Sequence, residues 1–474
     1  MKNKIEKILN IFAEINSIPR KSKNEKQISD WLVSWGENHG FIVERDEFMD
    51  VLIRVPATPG YEDRPSIAFQ GHMDMVCEKI PESNHDFSKD PIKMYQEDGW
   101  LKAVDTSLGA DNGIAIAVAL AIATDREVNH PELELLFTVD EETGLTGAVN
   151  LPTNWLRSKI LINIDSEDDG VFTIGCAGGR DAHITLDRSV TSNPDFNTTY
   201  TISVGGLKGG HSGVDIHKEK GNALIIAARL LKEFKHNNIE FGVVSFNGGS
   251  AHNAIPRNSK AVISINSENI GRIDDIVKSF TEIVKNEFKN VEPSLTIKTE
   301  SIKESVLSDD GSIIDLILSL PHGVMYNSSE MKGIVETSSN VAVISTHEEK
   351  YKILMSQRSS VMSRLDEICN KIDSIVSLAK GSVEFGGGYP AWQPDFNSKI
   401  LKEFITCYKE LFHKEPVIEV IHAGLECGVI GSKYSGMEMI SIGPTIKNPH
   451  SPDEKMEIST LGNLWELLIH YLNL

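Results

Sequence analysis

Apolar and polar residues follow two different spacings along residues 1–180 of the chain. Near the N-terminus the apolar residues lie three or four positions apart, which predicts an amphipathic helix that buries one face. Further on, short continuous apolar runs are typical of strands that are buried on both faces of a sheet. The alternation of helices and strands predicts an α/β domain. The apolar positions of the N-terminal helix are Ile5, Ile8, Leu9, Phe12 and Ile15.

Polar residues follow the predicted strands of this region directly. His72 comes just after one strand, and Asp165 comes just after another. Ligands of open α/β sheets bind in the crevice beyond the carboxyl ends of the strands. We therefore expect a functional site at this edge of the sheet. The predicted strands are Phe41–Val43, Ser66–Gln70, Leu133–Thr138 and Ile160–Ile164, and the predicted helices are 24–39 and Ile114–Ala123.

The pattern changes after Arg180. Residues 181–394 alternate strands with long amphipathic helices, which predicts a separate α+β domain inserted into the first. A polar, Asn-containing turn followed by a strand occurs in residues 248–265 and again in 333–360, which suggests two pseudo-repeated halves. The predicted elements are the strands Ala182–Leu186, Tyr200–Val204 and Ala261–Ile265 and the helices 220–236 and 271–288.

The last part of the chain returns to the first pattern. Glycines 386–388 and Pro390 predict a hinge. We predict that residues 1–180 and 395–474 form one discontinuous domain with a central mixed sheet flanked by helices. The elements predicted after the hinge are the helix 396–413, the strands Val417–Ile421 and Met439–Ile442, and a helix from Thr460.

Composition narrows the class of protein. The chain has 474 residues, of which 40% are hydrophobic and 24% charged, as in soluble multidomain proteins. The absence of a long apolar span and of a signal peptide predicts a cytoplasmic protein with no membrane partner. A net charge of −21 disfavours nucleic acid as a partner. Five cysteines without CxxC spacing argue against a disulfide framework and against a thiolate zinc site.

Candidate chemistry lies in five short segments, each of which has an ordinary structural interpretation when taken alone. A histidine after a strand can be a hydrogen-bonded structural residue, and an aspartate at a helix entry is usually an N-cap. Their occurrence together, at the strand ends of one predicted sheet, favours a joint function. The segments are 71–74 (GHMD), 108–113 (LGADNG), 140–144 (DEETG), 164–167 (IDSE) and 448–454 (NPHSPDE).

The residue types in these segments suit a pair of metal ions. Two zinc ions about 3.5–4 Å apart need a bridging carboxylate, with histidine and carboxylate ligands at each ion. Asp111 is suited to the bridge. Asp165 with His72 would complete one metal site, and Glu142 with His450 would complete the other.

Two further carboxylates are placed to assist such a centre. Asp74 lies two residues beyond His72, so on an extended backbone it projects to the same side and can accept a proton from the imidazole nitrogen that does not bind metal. Glu141 adjoins a ligand without being one, as a general base for water must. We predict Asp74 and Glu141 as catalytic residues.

These segments closely resemble those of the M20 metallopeptidases, and within them the aminoacyl-histidine dipeptidase branch. The motifs GHMDMV, SLGADNG, VDEETG, KGGHSG and HAGLECG occur in the family's order over essentially the whole chain. The resemblance implies a catalytic domain split by a large lid, residues 181–394, and a dinuclear zinc centre with a bridging aspartate and a glutamate base. It assigns these roles to the same seven residues.

The resemblance also implies substrate-binding residues in the lid. His211 resembles a lid histidine that donates to the carbonyl oxygen of the substrate. Asn253 and Arg358 resemble residues that hold the substrate's C-terminal carboxylate, a task for which Arg257 competes. Gly424 resembles a loop glycine whose backbone contacts the substrate.

The predicted reaction is the hydrolysis of Xaa-His and related unblocked dipeptides, with two Zn²⁺ per chain and Mn²⁺ or Co²⁺ as possible substitutes. N-deacylation of an amino acid, or removal of a C-terminal residue from a longer peptide, is the alternative on the same centre. A small peptide is the expected partner, and both a monomer and a homodimer are compatible with the sequence.

Overall fold

The computed structural model describes all residues from Met1 to Leu474, and the chain divides into two compact units. The first consists of Met1–Cys176, Pro394–Val420 and Leu425–Leu474, and the second consists of Ala177–Gln393 with Ile421–Gly424. The predicted bounds of the catalytic domain and the lid, with their functional roles, stay predictions.

The first unit contains eight helices and twelve strands. The helices are α1 (Lys2–Asn16), α2 (Lys26–Asn38), α3 (Ala110–Ala123), α4 (Glu141–Gly144), α5 (Thr146–Asn150), α10 (Lys399–Phe412), α11 (Glu426–Lys433) and α12 (Ile458–Leu472). The strands are β1 (Ile42–Arg45), β2 (Val51–Val55), β3 (Ile67–His72), β4 (Met94–Glu97), β5 (Trp100–Ala103), β6 (Leu133–Thr138), β7 (Ile160–Asn163), β8 (Val171–Cys176), β20 (Val417–Ile421), β21 (Glu438–Ser441), β22 (Ile446–Lys447) and β23 (Lys455–Glu457).

Eight of these strands form one mixed sheet in the order β1-β2-β6-β3-β7-β21-β8-β20. The central strands β6, β3, β7 and β21 are parallel, so their carboxyl ends meet at one edge. Strand β2 is antiparallel to β6, and β8 is antiparallel to β21. The predicted α/β class, with a mixed sheet flanked by helices, is confirmed. The remaining strands β4, β5, β22 and β23 form a separate small sheet.

The core of this unit follows from the apolar runs. Every residue of β2, β3 and β6 is buried, as expected for strands covered on both faces. Helix α3 is apolar nearly all round and packs against both β3 and α1. Helix α1 buries Ile8, Phe12 and Ile15, which belong to the predicted apolar face.

The second unit contains the helices α6–α9, two short 3₁₀ helices and the strands β9–β19. Its helices are α6 (Ala223–His236), α7 (Ile270–Glu287), α8 (Ser312–Ser319) and α9 (Met362–Leu378), with 3₁₀ turns at Ile216–Lys218 and Ser267–Asn269. Its strands are β9 (Gly178–Asp187), β10 (Thr198–Gly205), β11 (Gly210–His211), β12 (Phe241–Gly248), β13 (Ala254–Ile255), β14 (Ser259–Ile265), β15 (Thr296–Ile302), β16 (Gly323–Asn327), β17 (Val335–Thr346), β18 (Lys350–Ser359) and β19 (Ser382–Tyr389).

The large sheet of this unit has the order β15-β10-β14-β12-β17-β18-β9-β19, with β16 paired to β17. One half of this sheet consists of β10, β12, β14 and β15, and the other consists of β9, β17, β18 and β19. In both halves the last strand in chain order lies at the outer edge, and the first, third and second strands follow it inward. Between the two halves, β12 and β17 pair at Gly248 and Ile344, and Phe246 N donates to Thr346 Oγ1 beside this pair. Because β9 precedes β10 in the chain, one half is inserted into the other. A duplication as the origin of this arrangement stays a prediction.

Two global features bear on the predictions from composition. All five cysteines are free thiols. None of the helices combines the length and the hydrophobicity that a bilayer span requires.

Burial predicts a clear difference between two isoleucines on neighbouring strands. Ile53 in β2 is 0% exposed, whereas Ile42 in β1 is 66% exposed. Ile53→Ala should lower the free energy of unfolding by about 2–5 kcal/mol, because it leaves a cavity in the core. Ile42→Ala should change it by less than about 1 kcal/mol. Guanidinium denaturation followed by circular dichroism measures both, and equal losses would contradict the burial assigned to β2.

Candidate metal centre

Three parallel strands deliver polar residues to one edge of the first unit's sheet. His72 is the last residue of β3, and Asp165 follows β7 by two residues. Glu141 and Glu142 open α4, shortly after the end of β6. Because these strands are parallel neighbours, the polar residues after them lie close together.

The other two predicted ligands come from outside these strands. Asp111 lies in the first turn of α3. His450 lies in the loop that connects β22 to β23. The structure therefore assembles five residues from five separate segments of the chain.

Asp111 lies between two imidazoles. Its Oδ1 is 3.1 Å from His72 Nε2, and its Oδ2 is 3.1 Å from His450 Nε2. On one side, Asp165 Oδ1 is 3.5 Å from His72 Nε2. On the other side, Glu142 Oε2 is 3.1 Å from His450 Nε2. The centre thus consists of two groups of three, each with its potential ligand atoms within 4.8 Å of one another, and Asp111 belongs to both.

This donor set fits divalent cations. It consists of imidazole nitrogens and carboxylate oxygens, which bind zinc and several other first-row metals. Glu142 Oε1 is buried and has no hydrogen-bond partner in the protein, so a cation beside it would satisfy an otherwise costly buried group. Several buried carboxylates at one point also repel one another until a positive charge is present.

The same carboxylates shift the pKa values of the two histidines. Hydrogen bonds that His450 donates to the carboxylates of Asp111 and Glu142 raise the pKa of His450 to about 11. Burial alone would lower the pKa of His72, but Asp111, Asp165 and Asp74 together raise it well above its ordinary value. Without metal, the His450 ring is therefore a doubly protonated imidazolium cation at neutral pH, and the surrounding carboxylates favour the same charged form of His72.

Asp74 joins two of the segments. Its Oδ1 is 3.2 Å from His72 Nδ1, the ring nitrogen that faces away from Asp111. The same carboxylate accepts hydrogen bonds from the backbone N–H groups of Glu141 at 3.0 Å and Glu142 at 3.2 Å. Asp74 therefore fixes the orientation of the His72 ring and the position of the Glu141–Glu142 turn.

Glu141 lies beside the two groups and has a perturbed carboxyl. It forms a third group with His72 and Glu142, also within 4.8 Å. Burial raises the pKa of Glu141 well above its ordinary value, and the nearby carboxylates of Asp165 and Glu142 add to that rise.

Two residues that support Asp111 were missed in the sequence. The buried carboxylate of Glu454 accepts the backbone N–H groups at the start of α3, and the buried guanidinium of Arg20 donates to Gly109 O. Glu454 stands in the same short segment as His450, which was a signal. Arg20 follows Pro19 in a polar stretch of the sequence, and nothing in that stretch indicated a role for it.

His211 and Asn253 lie together in the second unit. His211 in β11 pairs with Ala254 in β13, next to Asn253, and Asn253 O accepts the N–H of Ser212. Nδ1 of His211 accepts the N–H groups of Gly213 and Val214, so the proton of the neutral ring is on Nε2. Burial, aided by the charge of Arg358, lowers the pKa of His211 and keeps the ring neutral.

Arg358 and Gly424 contact the same tyrosine. Nη1 of the buried Arg358 donates to Tyr389 Oη at 2.6 Å. A Cβ at Gly424 would lie 2.7 Å from Cε2 of Tyr389, so only glycine allows this ring to pack there. No sequence pattern singled out Tyr389. Arg257 is exposed and its Nε donates to Leu207 O.

Comparisons with known proteins agree with this geometry. The model of Peptidase family M20/M25/M40 matches residues 68–474. The cytosol non-specific dipeptidase of Escherichia coli is 42% identical over 98% of this chain and 96% of that protein. The crystal structure of aminoacylhistidine dipeptidase from Vibrio alginolyticus superposes with a TM-score of 0.91 at 40% identity, covering 98% of this chain and 96% of that one.

A more distant solved structure shares the fold. Aminopeptidase PepT from Bacillus cereus has a TM-score of 0.58 at 16% identity, covering 99% of this chain and 98% of that one. The family resemblance of the sequence motifs is confirmed by the match over most of the chain. The protein belongs to Peptidase family M20/M25/M40.

Proposed function

We propose that this protein is a dinuclear zinc dipeptidase that cleaves unblocked dipeptides, Xaa-His among them, with Glu141 as the general base. The observation that carries the proposal is the position of Asp111 between two histidine–carboxylate groups. A carboxylate that presents one oxygen to each of two ligand sets is suited to bridge two cations.

The proposed ligands follow from the distances. His72 and Asp165 would hold one ion, His450 and Glu142 the other, and Asp111 both. Zinc suits this set of nitrogen and oxygen ligands, and Mn²⁺ or Co²⁺ could replace it. Asp74 would raise the basicity of His72 through the ring nitrogen that binds no metal.

The proposed mechanism assigns a proton path to Glu141. Bound zinc ions would supply Lewis acidity, which polarises the scissile carbonyl and lowers the pKa of water. Glu141 would accept a proton from the attacking water molecule and deliver it to the leaving amine. Its raised pKa suits this shuttle, because a carboxyl with a pKa nearer neutrality both accepts and returns a proton readily.

We further propose that the second unit supplies the substrate-binding groups. With its proton on Nε2, His211 would donate a hydrogen bond to the carbonyl oxygen as negative charge develops there. Arg358 would bind the substrate's C-terminal carboxylate, and Tyr389 would orient its guanidinium. Asn253 and the backbone at Gly424 would complete the contacts.

The relatives support a dipeptide as substrate over an N-acyl amino acid or a longer peptide. Both the Escherichia coli protein and the Vibrio alginolyticus structure are named as dipeptidases, and each aligns with nearly all of this chain. The Escherichia coli name also supports the predicted cytoplasmic location. Oligomeric state stays open between monomer and homodimer.

A substrate panel tests the reaction class. Metal-loaded protein should release free amino acids from Xaa-His and other unblocked dipeptides, detected by amine-reactive labelling and mass spectrometry. Carnosine-like dipeptides, N-acetylated amino acids and tripeptides belong in the same panel. Preferred turnover of an N-acetylated amino acid or of a tripeptide would replace the dipeptidase proposal with the deacylase or carboxypeptidase alternative.

Exchanging carboxyl for amide separates the proposed base from a proposed ligand. Glu141→Gln should lower kcat by at least about 10³-fold, because the amide accepts no proton, while two zinc ions stay bound. Glu142→Gln, one residue away, should lose zinc as well as activity. Zinc content measured by atomic emission distinguishes the two. Loss of metal from Glu141→Gln would show that the base and ligand roles are misassigned.

Proton release should accompany metal binding. Below the raised pKa values of His72 and His450, each ion must displace about one imidazole proton, so zinc affinity should rise about tenfold per pH unit from pH 6 to 8. Titration calorimetry in buffers of different ionisation enthalpy measures the released protons. His450→Ala should remove the contribution of one imidazole, and a zinc affinity independent of pH would contradict the protonated state.

A further inference from the structure

We propose that Glu454 and Arg20 are positioning residues, which hold the turn Leu108–Asp111 from two sides and so set Asp111 between the two histidines before any metal binds. This role rests on the proposed function, in which Asp111 bridges the two metal ions. The hydrogen bonds from the turn to Glu454 and from Arg20 to the turn, called the grip below, are present in the metal-free protein and can be measured without metal.

Glu454 holds the turn through its backbone N–H groups. Its Oε2 accepts from Leu108 at 2.7 Å and Gly109 at 2.9 Å, and its Oε1 accepts from Ala110 at 2.8 Å and Asp111 at 3.4 Å. The N–H groups at a helix start lack partners within the helix, and a negative charge there is attracted by the positive end of the helix dipole. One buried carboxylate therefore fixes the backbone direction from which the Asp111 side chain projects.

Arg20 holds the same turn through a carbonyl and connects it to β3. Its guanidinium donates to Gly109 O at 2.5 Å, to Met73 O at 3.2 Å and to Asp74 O at 3.0 Å. A fully buried arginine that donates to three carbonyls keeps those three backbone positions at fixed separations. The end of β3, which carries His72, is thereby joined to the turn that carries Asp111.

The packing at Gly109 shows how closely the guanidinium approaches the turn. A Cβ at Gly109 would lie 2.3 Å from Arg20 Nη2, and one at Gly113 would lie 2.7 Å from the same atom. Gly109 also has φ +68°, a conformation that favours glycine. A side chain at position 109 would therefore displace Arg20.

The two positioning residues are connected to different ligand groups. Glu454 lies four residues beyond His450 on the same loop, so its grip also places His450 relative to Asp111. Arg20 holds the carbonyls just after His72. Losing Glu454 should therefore weaken the His450–Glu142 ion more, and losing Arg20 should weaken the His72–Asp165 ion more.

The chain offers a matched control for the loss of a buried carboxylate. Glu134 in β6 is also buried, accepts the N–H groups of Arg157 and Ser158, and pairs with the buried Arg54. It lies near the start of β6, whereas the metal centre is beyond the strand's other end. Glu134→Gln also removes a buried carboxylate that accepts backbone N–H groups, but at a position that contains no proposed metal ligand.

The experiment compares Glu454→Gln, Arg20→Lys and Glu134→Gln by zinc titration of the metal-free proteins. Glu454→Gln and Arg20→Lys should each weaken both binding events, because Asp111 serves both ions, and the loss should be at least tenfold for the ion whose other ligands the lost residue also places. Glu134→Gln should bind both ions with wild-type affinity. In a His450→Ala background, which keeps the His72–Asp165 group, Arg20→Lys should weaken zinc binding more than Glu454→Gln does.

Hydrogen exchange of the metal-free wild-type protein tests the grip independently of metal and of variant folding. The amides of residues 108–111 should exchange at least tenfold more slowly than those of an exposed loop, and Glu454→Gln should remove this protection. Rapid exchange of these amides in the wild type would overturn the proposal, as would wild-type affinity for both ions in Glu454→Gln and Arg20→Lys. Slow exchange in a protein that binds no zinc would instead refute the proposed function and leave the grip intact.

Discussion

The placement of one carboxylate between two imidazoles is the constraint on which the arrangement of this protein depends. Asp111 must face His72, which ends a central strand, and His450, which lies more than 300 residues later in the chain. Parallel strands bring three of the segments to one edge, but Asp111 and His450 come from other elements. Glu454, which accepts buried hydrogen bonds, and Arg20, which donates them, therefore replace the sheet in fixing the turn that carries Asp111.

Much of the first unit could be predicted because its signals are local. The run at 133–138 predicted β6 with its observed bounds, because leucine and phenylalanine occupy four of its six positions. Strand β2 was missed although all its residues are buried, because Arg54 interrupts the apolar run and finds its partner Glu134 only in the folded chain. Helix α3 starts four residues before the predicted Ile114, within a Gly-rich turn that resembles a loop.

The residues of the candidate site also differ in how far the sequence could predict them. His72, Asp165 and Glu142 follow strands and could be found from strand positions alone. Asp111 and His450 needed the motif order as well. Arg20 and Tyr389 could not be found, because each acts through contacts with backbone or side chains that are distant in sequence. A buried arginine that donates to carbonyls has no composition or spacing that distinguishes it from a surface arginine before the chain folds.

The insertion of one half of the second unit into the other bears on synthesis at the ribosome. The strands β10, β14, β12 and β15 come from one continuous stretch, so all four are available for pairing once residue 302 has left the exit tunnel. Strand β9 is made earlier but must wait for β18 and β19, which lie about 170 to 200 residues later. Until then β9 is an unpaired, partly apolar strand edge, exposed to nascent-chain chaperones and to mispairing.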